Sequence, residues 1–599
     1  MTDLFHQLII DSAEKNPQAV ALRYRGHGLS YAALQRQIEV CCQALLGFDM
    51  ARGDRIAVYL EKRFETVAAL FGASLAGLVF VPINPLVKAA QVAYQLNDCQ
   101  VKVLITSAQR FDAILPALLQ CPNLRRIIVT DTSEKFAAKF CSESENKFEL
   151  ETKNEIKNEI KNETKNEADA ASDFQVTRWE DMLLMSGGRV PHRCIDQDMA
   201  AILYTSGSTG NPKGVVLSHR NLMAGARSVA DYLHNTAHDK ILCALPLSFD
   251  YGLSQLTTAL LTGATAVLLN YLMPSDILDA VASERITGLA AIPPLWLRLA
   301  SLQWPDVSSL RYITNSGGAM PAALLNQLRS TLPEIDIYLM YGLTEAFRST
   351  YLDPRLVGER GDSIGTAIPN NEVLVLRADG SRCEPNEAGE LVHRGALVAL
   401  GYWNAPELTA QRFKLLSARA AARAGELSLP EMVVWSGDIV RMDQDGYLYY
   451  IGRTDEQIKV FGYRVSPGEV EQVLQQFDGI GELAVVGVAH PLSGHALVAV
   501  VQQGGRLNVA ALRQHCQKLL PAYMVPAQFE IDAQGLPRNA NGKIDRQALR
   551  LRFATLFSTP SSPGLSGTPP ARVPDPVSAP SSGPTPTSLT APSTLLQAG

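Results

Sequence analysis

Apolar and polar positions along the chain follow two alternating periods. Short runs rich in Val, Ile and Leu at residues 55–60 and 200–204 are typical of buried β-strands, whereas residues 66–76 have the spacing of a helix. Runs of both kinds alternate over most of the chain. Because strands and helices alternate, the pattern predicts an α/β fold with helices layered on largely parallel sheets.

The alternation of strand-like and helical runs begins again after residue 453 and covers a shorter segment. Helical spacing at residues 467–477 and 509–519 brackets two apolar runs of strand character. We therefore predict a large N-terminal domain over residues 1–453 and a small α+β domain over residues 454–552.

Two segments differ in composition from these domains. Residues 142–173 contain the repeat Lys-Asn-Glu, which offers almost nothing apolar to bury, and we interpret them as a low-complexity insertion in a surface loop. Residues 553–599 form a tail that is rich in Pro, Ser and Thr from Ser558 onward. Such a composition buries too little surface to offset the entropy of ordering, so we predict that the tail is disordered.

The overall charge excludes one class of partner. The 599 residues have a formal net charge of −6, and this mildly acidic balance argues against binding nucleic acid through clustered basic residues. A small anionic ligand stays compatible with this charge, because backbone amides bind phosphate without net charge.

Cysteine usage and hydropathy indicate a cytoplasmic protein. The nine cysteines are scattered and form no C-x-x-C pair, and the N-terminus lacks the features of a secretory signal. The longest uncharged stretch, residues 251–275, is divided by Gly263. We interpret it as a buried helix at 253–261 followed by a strand at 265–269, so no membrane span is predicted.

The strongest local motif is Tyr204-Thr205-Ser206-Gly207-Ser208-Thr209-Gly210-Asn211-Pro212-Lys213-Gly214, directly after a predicted strand. Its glycines let the backbone turn tightly and point successive amides inward, while hydroxyls and an ammonium add further donors. It differs from the G-x-x-x-x-G-K-[ST] loop. A flexible linker is the alternative, but a linker rarely follows a buried strand directly. The candidate phosphate-binding residues are Thr205, Ser206, Gly207, Ser208, Thr209, Gly210 and Lys213.

Further motifs follow in order along the chain. They are Asn315-Ser316-Gly317-Gly318-Ala319, Tyr341-Gly342-Leu343-Thr344-Glu345, Gly389-Glu390-Leu391, Ser436-Gly437-Asp438, Gly452-Arg453-Thr454-Asp455-Glu456-Gln457-Ile458-Lys459 and Pro537-Arg538-Asn539-Ala540-Asn541-Gly542-Lys543-Ile544-Asp545-Arg546. Together with the glycine-rich loop, they resemble the AMP-forming acyl-adenylate synthetase superfamily. The resemblance spans about residues 10–550, apart from the insertion. Residues 245–255 and 341–351 resemble acyl-CoA ligases associated with bacterial exosortase and exopolysaccharide loci.

The resemblance implies a reaction in two steps. A carboxylate attacks the α-phosphorus of ATP, with Mg²⁺ present, and gives acyl-AMP and pyrophosphate. A thiol, of coenzyme A or of the phosphopantetheine of a separate carrier protein, then attacks the acyl group and releases AMP. The first step brings two anions together, so positioning and charge neutralisation must dominate its catalysis. The resemblance also implies that the small domain is mobile and rotates between the steps.

The resemblance implies roles for residues of the N-terminal domain. Tyr341 stacks on adenine, Thr344 binds the α-phosphate, and Glu345 helps to hold Mg²⁺, which prefers oxygen ligands. Asp438, which follows a strand predicted at 432–435, and Arg453 contact the ribose. Gly317, Gly318 and Ala319 also border the nucleotide. Considered singly, these residues have ordinary structural explanations, such as a helix N-cap for Thr344 and a turn for Asp438.

The resemblance implies roles for four residues at or beyond the domain boundary. Asp455 is the hinge, where a change in backbone angles would be absorbed. Lys459 and Gly462 line the tunnel for the thiol, although a strand and an ordinary turn glycine would account for them equally well. Lys543 is the catalytic lysine of adenylation, and Thr344 and Glu345 complete the catalytic set.

The identity of the acid depends on Phe249 and Asp250, which lie in the predicted substrate pocket. In amino-acid-activating relatives, an Asp at this position holds the substrate ammonium. A buried Asp without a cationic partner is costly. Asp250 therefore either binds an amine or is satisfied by donors of the protein, such as Tyr251 or Asn270.

Three functions stay open at this point. The leading interpretation is an AMP-forming acyl-CoA ligase acting on a small-molecule carboxylic acid. The second is a ligase that loads an amino acid or another acid onto a separate carrier protein. The third is a nucleotide-binding scaffold without turnover, although Lys543, Glu345 and Asp438, where loss of activity would be expected to show, are all present.

We predict that Lys543→Ala loses ATP–pyrophosphate exchange by about 10²–10³-fold, because one charged donor to the transition state is removed. The variant should still convert supplied acyl-AMP to thioester. Near-normal exchange would contradict the role of Lys543.

Overall fold

A computed structural model of the chain describes residues 3–87, 89–134, 136, 174–185, 188–205, 212–416, 430–453, 458–460, 463–465, 467–490, 494–503, 505, 507–520, 522–533, 535–539 and 542–557. The predicted insertion at 142–173 and the chain beyond residue 557 lie outside these ranges.

Strands and helices alternate along the described chain, as the sequence pattern predicts. The strands are β1 Val20–Tyr24, β2 His27–Ser30, β3 Arg55–Tyr59, β4 Val79–Pro82, β5 Val103–Ser107, β6 Arg126–Thr130, β7 Gln175–Arg178, β8 Met199–Thr205, β9 Lys213–Ser218, β10 Lys240–Cys243, β11 Thr265–Leu268, β12 Gly288–Ala291, β13 Tyr312–Asn315, β14 Asp336–Tyr341, β15 Thr350–Leu352, β16 Thr366–Ala367, β17 Asn371–Leu376, β18 Ala388–Gly395, β19 Gly401–Tyr402, β20 Phe413–Leu415, β21 Met432–Met442, β22 Leu448–Arg453, β23 Ile458–Val460, β24 Tyr463–Val465, β25 Ile480–His490, β26 Gly494–Gln503 and β27 Gln528–Asp532. The α-helices are Gln7–Lys15, Tyr31–Gly47, Phe64–Ala76, Ala89–Asp98, Ala108–Leu118, Trp179–Leu184, His219–Tyr232, Asp250–Thr262, Pro274–Ser283, Pro293–Ala300, Ala322–Thr331, Val357–Arg360, Pro406–Arg412, Pro467–Gln475, Val509–Leu519 and Arg546–Arg552. Short 3₁₀ turns span Thr344–Ala346, Pro354–Leu356 and Ala522–Met524.

Two large sheets organise the N-terminal part. One has the strand order β16-β15-β14-β13-β12-β10-β11-β1-β2, and its strands from β14 to β1 are parallel. The other has the order β19-β9-β8-β4-β3-β5-β6-β7, in which the strands from β8 to β7 are parallel. One continuous apolar core, which includes residues of helices Phe64–Ala76 and Asp250–Thr262, joins the two sheets. A helix buried between two sheets is apolar nearly all round, which is the composition of Phe64–Ala76.

A third sheet, β17-β18-β21-β20 with β22 beside β21, is antiparallel. It corrects one sequence-based expectation. The strand predicted at 432–435 continues to Met442, so Asp438 lies inside β21 and not after its end. Pairing with β22 from Asp438 to Met442 extends the strand beyond the apolar run.

The C-terminal part has a sheet of its own. Its order is β24-β23-β26-β25, and β27 pairs with β26 in parallel. Its apolar clusters begin at Ile458 and are separate from the core of the two large sheets. Phe553 is buried in this part, so the structured chain continues past the predicted end at residue 552. The architecture confirms the predicted α/β class with a large N-terminal domain and a small C-terminal domain, while the exact boundary at 453/454 stays a prediction.

The uncharged stretch at 251–275 folds as predicted. It forms the helix Asp250–Thr262, a left-handed turn at Gly263, and β11. None of the helices in the described ranges is both long and apolar enough to cross a membrane. Within this helix, Gly252 permits a close approach, because a Cβ at this position would lie 1.9 Å from the carbonyl oxygen of Pro246. The start of the helix is thereby held against the loop that follows β10.

Buried histidines attach the N-terminal segment and β18 to the core. His219 Nδ1 accepts a hydrogen bond from the Phe5 backbone N–H at 3.1 Å, and His6 Nδ1 lies 3.1 Å from Ser74 Oγ. Burial lowers the pKa of His6 and of His219 to about 4 each, and that of His393 to about 3. All three imidazoles are therefore neutral in the folded protein near neutral pH.

We predict that the free energy of unfolding falls as the pH drops from 7 to 5. An unfolded histidine has a pKa near 6.5, so below this pH the unfolded state binds protons that the folded state does not bind. The free energy of unfolding therefore falls by about 1.4 kcal/mol per pH unit for each buried histidine. Urea unfolding measured at several pH values tests this. His393→Phe should reduce the slope of the unfolding free energy against pH by the amount that corresponds to about one proton. The exposed His238 provides the control, since His238→Gln should leave the slope unchanged. A slope equal to that of the wild type in His393→Phe would contradict the assignment.

Candidate active site

The candidate site lies at one edge of the first large sheet. β10, β12, β13 and β14 are parallel neighbours, so their carboxyl ends meet at the same edge. The loop after β10 leads to Asp250, the loop after β13 carries residues 317–319, and β14 runs directly into the turn Thr344–Ala346. The topology therefore brings together three segments that the sequence analysis selected separately.

Tyr341 and Asp438 form one half of the site. The Tyr341 hydroxyl donates a hydrogen bond to the Asp438 carboxylate, which is 4% exposed. The Asp438 backbone N–H donates to Ser436 Oγ at 3.0 Å, and Asp438 is paired in register with Arg453 of β22. The side chain of Arg453 lies outside the described part of the chain. An aromatic face and an oriented carboxylate thus lie side by side.

Glu345, Lys213 and Tyr402 form the other half. The Tyr402 hydroxyl donates to Glu345 Oε1 at 2.6 Å, and Lys213 Nζ donates to the Tyr402 oxygen at 3.2 Å. Lys213 Nζ also lies 3.6 Å from Glu345 Oε1 and 4.5 Å from the centre of the Tyr402 ring. Sequence reasoning missed Tyr402. Its position in a short strand that pairs with β9 opposite Val215 explains its place beside Lys213, and the Gly-Tyr-Trp sequence at 401–403 was the available signal.

Asp250 is held by an arginine that the sequence analysis did not single out. Arg348 Nη2 donates to Asp250 Oδ2 at 2.9 Å, and the side chains are 3% and 17% exposed. Thr344 Oγ1 lies 3.5 Å from Asp250 Oδ1. The guanidinium of Arg348 also lies over the Tyr251 ring, 4.7 Å from its centre.

The donors predicted for Asp250 are engaged elsewhere. The Tyr251 hydroxyl pairs with Thr314 Oγ1 at 2.6 Å. The Asn270 side chain accepts from the Lys62 backbone N–H at 3.1 Å and donates to the Lys62 carbonyl at 2.8 Å. The alternative that a donor of the protein satisfies Asp250 therefore holds, with Arg348 as that donor. Tyr251 and Asn270, the two examples given for it, bind partners that the tertiary fold brings nearer. Phe249, the other predicted pocket residue, is half-buried and directly precedes the helix.

The ends of the glycine-rich loop are placed by a β-hairpin. Thr205 at the end of β8 pairs with Lys213 at the start of β9, so both ends of the loop point to the same edge. Within the described ranges, the buried Thr205 Oγ1 has no hydrogen-bond partner. Ser206, Gly207, Ser208, Thr209 and Gly210 lie outside the described residues. Gly317 has a left-handed backbone angle (φ +79°), and residues 317–319, which include Gly318 and Ala319, form an exposed loop.

The structure describes only some of the residues predicted to act in the C-terminal part. Lys543 is exposed in a loop that ends in the bridge between Arg538 and Ile544, and its backbone N–H donates to Asn539 Oδ1 at 3.1 Å. Lys459 belongs to β23, but its side chain lies outside the described part. Asp455 and Gly462 also lie outside it. The structure thus brings together Tyr341 with Asp438, Thr344 with Asp250, and Glu345 with Lys213. It places Lys543 in an exposed loop of the C-terminal part.

Comparison with known proteins identifies the family of this chain. The family described as "AMP-binding enzyme" matches residues 9–403, and its C-terminal domain matches residues 469–543. The chain belongs to the AMP-binding enzyme family. The predicted membership of the AMP-forming acyl-adenylate synthetase superfamily is thereby confirmed, and the chain is an adenylate-forming ligase of the acid–thiol class by family.

The relatives of this adenylate-forming ligase by sequence include amino-acid-activating enzymes. It is 28% identical over 561 residues to L-proline--[L-prolyl-carrier protein] ligase of Pseudomonas fluorescens, which covers 91% of this chain and 98% of the relative. It is 28% identical over 549 residues to tyrocidine synthase 3 of Brevibacillus parabrevis, which covers 91% of this chain. The chain spans 8% of the length of that synthase.

Solved structures share the fold of this ligase. ATP-bound MatB of Rhodopseudomonas palustris superposes with a TM-score of 0.74 at 23% identity, covering 93% of this chain and all of MatB (100%). O-succinylbenzoate coenzyme A synthetase (MenE) of Bacillus subtilis, in complex with ATP and magnesium, superposes with a TM-score of 0.70 at 25% identity, covering 90% and 98% of the two chains. A coenzyme A synthetase therefore shares the fold of this chain, and a carrier-protein ligase is related to it by sequence.

We predict that Tyr402→Phe raises the Mg²⁺ concentration needed for half-maximal ATP–pyrophosphate exchange by about tenfold. The lost hydrogen bond orients the Glu345 carboxylate, and a bond to a charged group contributes about 1.5–3 kcal/mol. Exchange measured across a Mg²⁺ titration tests this. Tyr449→Phe is the matched control, because its hydroxyl donates to a carboxylate outside the site, Asp443, at 3.2 Å. An unchanged Mg²⁺ dependence in Tyr402→Phe would contradict the role of Tyr402.

Proposed function

We propose that this chain is an AMP-forming ligase that activates a carboxylic acid without an α-ammonium group and transfers the acyl group to the thiol of coenzyme A. The observation that carries the proposal is the ion pair of Asp250 with Arg348 at 2.9 Å. The carboxylate that would hold a substrate ammonium already has a buried cationic partner from the protein itself.

Charge repulsion makes the Asp250–Arg348 pair unfavourable for substrates that have an α-ammonium group. A substrate ammonium beside Asp250 would also lie close to the Arg348 guanidinium. Two like charges about 4 Å apart repel by about 4 kcal/mol at an effective dielectric constant of about 20. Displacing Arg348 from Asp250 would leave the guanidinium buried and unpaired, which is also costly. An acid without an α-ammonium group incurs neither the repulsion from Arg348 nor the cost of displacing it.

The N-terminal residues fit the roles proposed for the nucleotide. Tyr341 offers its ring to adenine, while the oriented carboxylate of Asp438 can accept from both ribose hydroxyls, with Arg453 beside it in register. Lys213 and Thr205, whose hydroxyl has no hydrogen-bond partner among the described residues, border the glycine-rich loop, where phosphate oxygens would find donors.

Magnesium fits as a companion of the triphosphate. Within the described ranges, no group of three or more His, Cys, Asp and Glu side chains could hold a metal ion without other ligands. Glu345 supplies one carboxylate, and Mg²⁺ in nucleotide sites is commonly held by one or two carboxylates together with substrate phosphates. When bound, the ion would neutralise phosphate charge. Lys213, now 3.6 Å from Glu345, would then be available to phosphate oxygens.

The C-terminal domain is proposed to supply the remaining groups. The exposed Lys543 would deliver an ammonium to the carboxylate and α-phosphate when the two domains close, with Asp455 as the hinge. After rotation, the segment of Lys459 and Gly462 would face the thiol. In both steps the domain positions charge or backbone against a nucleotide that is held by the N-terminal domain.

A second candidate is the loading of an amino acid onto a separate carrier protein. The sequence relatives with this kind of name, such as the prolyl-carrier ligase at 28% identity, favour it. It requires Asp250 to exchange Arg348 for the substrate ammonium.

Pairs of acids that differ in the α-amino group alone provide the test. We predict that ATP–pyrophosphate exchange is at least about 10²-fold faster with hexanoate or phenylpropanoate than with norleucine or phenylalanine. The repulsion from Arg348 offsets the attraction of a substrate ammonium to Asp250, so the cost of desolvating that ammonium is not compensated. Product analysis with coenzyme A and with a phosphopantetheinylated carrier protein then identifies the thiol.

Each other outcome identifies a different function. Faster exchange with the amino acids would overturn the proposal and favour the carrier-protein ligase. Thioester formation on the carrier protein with an uncharged acid would keep the acid class and reject coenzyme A. Silence with every acid, in a protein that still binds ATP, would favour a scaffold without turnover.

A further inference from the structure

A bulge interrupts the pairing of β18 with β21 next to Asp438. Three consecutive residues of β21, at 436–438, lie opposite a single residue of β18, Leu391. Gly437, in the middle of the three, has a left-handed backbone angle (φ +76°). β-Bulges are frequent beside active sites, where they direct a side chain that regular pairing would point elsewhere. The bulge at 436–438 is therefore the local feature that sets the direction of the Asp438 carboxylate.

Side chains and loop groups replace the strand pairing that the bulge removes. Glu390 Oε1 accepts a hydrogen bond from the Gly437 backbone N–H at 2.8 Å. Ser436 Oγ donates to the Leu391 carbonyl at 2.6 Å and accepts from the Asp438 backbone N–H at 3.0 Å. All three residues of the bulge are buried. Because buried backbone N–H groups are nearly always paired, these acceptors are what allows the bulge to form inside the sheet.

Glu390 contributes a charged acceptor to this network. A hydrogen bond from an N–H to a carboxylate is stronger than one between neutral groups. Arg412 Nη1 lies 3.9 Å from Glu390 Oε1, and both side chains are partly buried. The same guanidinium lies against Gly437, where a Cβ would be 2.1 Å from Arg412 Nη1. Glu390, Arg412 and the bulge thus form one packed cluster, in which a larger residue at 437 would not fit.

Asp438 is held from two sides by this arrangement. The bulge fixes its backbone, and the Tyr341 hydroxyl donates to its carboxylate. Leu391, opposite the bulge, belongs to the apolar cluster against which Tyr341 packs. A carboxylate accepts from both ribose hydroxyls only when its orientation is fixed closely, so a change in the bulge would weaken that interaction.

We propose that Glu390 is a positioning residue for the ribose and acts through Asp438. Its carboxylate holds the Gly437 N–H, keeps the bulge at 436–438 in shape, and thereby turns the Asp438 carboxylate toward the ribose hydroxyls of ATP. The inference rests on the ribose role that the proposed function gives to Asp438. It also assigns a task to the motif Gly389-Glu390-Leu391.

Equilibrium binding of nucleotides provides the test, because it does not depend on which acid is activated. The dissociation constants of ATP, 2′-deoxy-ATP and 3′-deoxy-ATP are measured by isothermal titration calorimetry with Mg²⁺ and without an acid. We expect the wild type to bind ATP about tenfold or more tightly than either analogue, because the analogue leaves an oxygen of Asp438 unpaired. Glu390→Leu should reduce this ratio to about threefold or less, through weaker binding of ATP.

A double variant shows whether Glu390 acts through Asp438. Asp438→Asn should lower the ratio by itself, and the further change Glu390→Leu should then alter it by less than about twofold. Residues in one hydrogen-bond network have coupled effects, whereas the effects of independent residues add. Additive losses in the double variant would overturn the inference.

Two matched variants separate positioning from a general loss of stability. Glu390→Gln keeps an acceptor oxygen for the Gly437 N–H and should keep most of the wild-type ratio. Glu387→Leu is the control, because Glu387 also accepts a backbone N–H, that of Glu384 at 2.8 Å, but directly precedes β18 and lies outside the site. It should leave the ratio unchanged.

Thermal unfolding shows whether each variant folds. If Glu390→Leu does not fold, Ser436→Ala replaces it, because this change removes the acceptor of the Asp438 N–H and should lower the ratio likewise. A wild-type ratio in the folded variant would overturn this inference and leave the proposed function intact. Equal binding of ATP and both analogues by the wild type would instead overturn the ribose role of Asp438 on which the inference rests.

Discussion

Parallel pairing in the first large sheet is the constraint on which the site depends. Because β10, β12, β13 and β14 run in the same direction, the loops after them emerge at one edge. Asp250, the loop at 317–319 and the turn Thr344–Ala346 therefore meet although they are far apart in the chain. The close approach of Gly252 to Pro246 serves the same arrangement, since it holds the helix of Asp250 against the preceding loop.

Each carboxylate of the site is satisfied by a donor from a distant segment. Tyr341 binds Asp438 across a separation of 97 residues, Tyr402 binds Glu345 across 57, and Arg348 binds Asp250 across 98. Without these donors the carboxylates would be partly buried and unpaired, which is unfavourable. The partners also differ in whether a ligand could separate them from their carboxylates. Phosphate oxygens could recruit Lys213 from Glu345, whereas the buried guanidinium of Arg348 has a carboxylate partner at 2.9 Å and leaves little room for a competing cation.

The second large sheet contributes the other wall of the proposed nucleotide site. The β8–β9 hairpin carries Thr205 and Lys213 to the ends of the glycine-rich loop, and β19 adds Tyr402 at the outer edge. The third sheet adds Asp438 within β21. Three sheets thus supply the proposed site. Asp438 and Glu345 each accept a hydrogen bond from a tyrosine of a different sheet, whereas Arg348 and Asp250 both follow strands of the first large sheet.

The sequence by itself determined the α/β class, the strands and helices with clear periodicity, and the motifs that contain Tyr341, Glu345, Asp438 and Lys213. These follow from local patterns, since hydrophobic period and glycine spacing are properties of neighbouring residues. The extension of β21 past 435 was missed because pairing with β22 decided it. Tertiary structure alone decided the partner of Asp250 and the place of Tyr402. Each of these depends on which distant segments pack together, and a contact across about a hundred residues leaves no periodic trace in a single sequence.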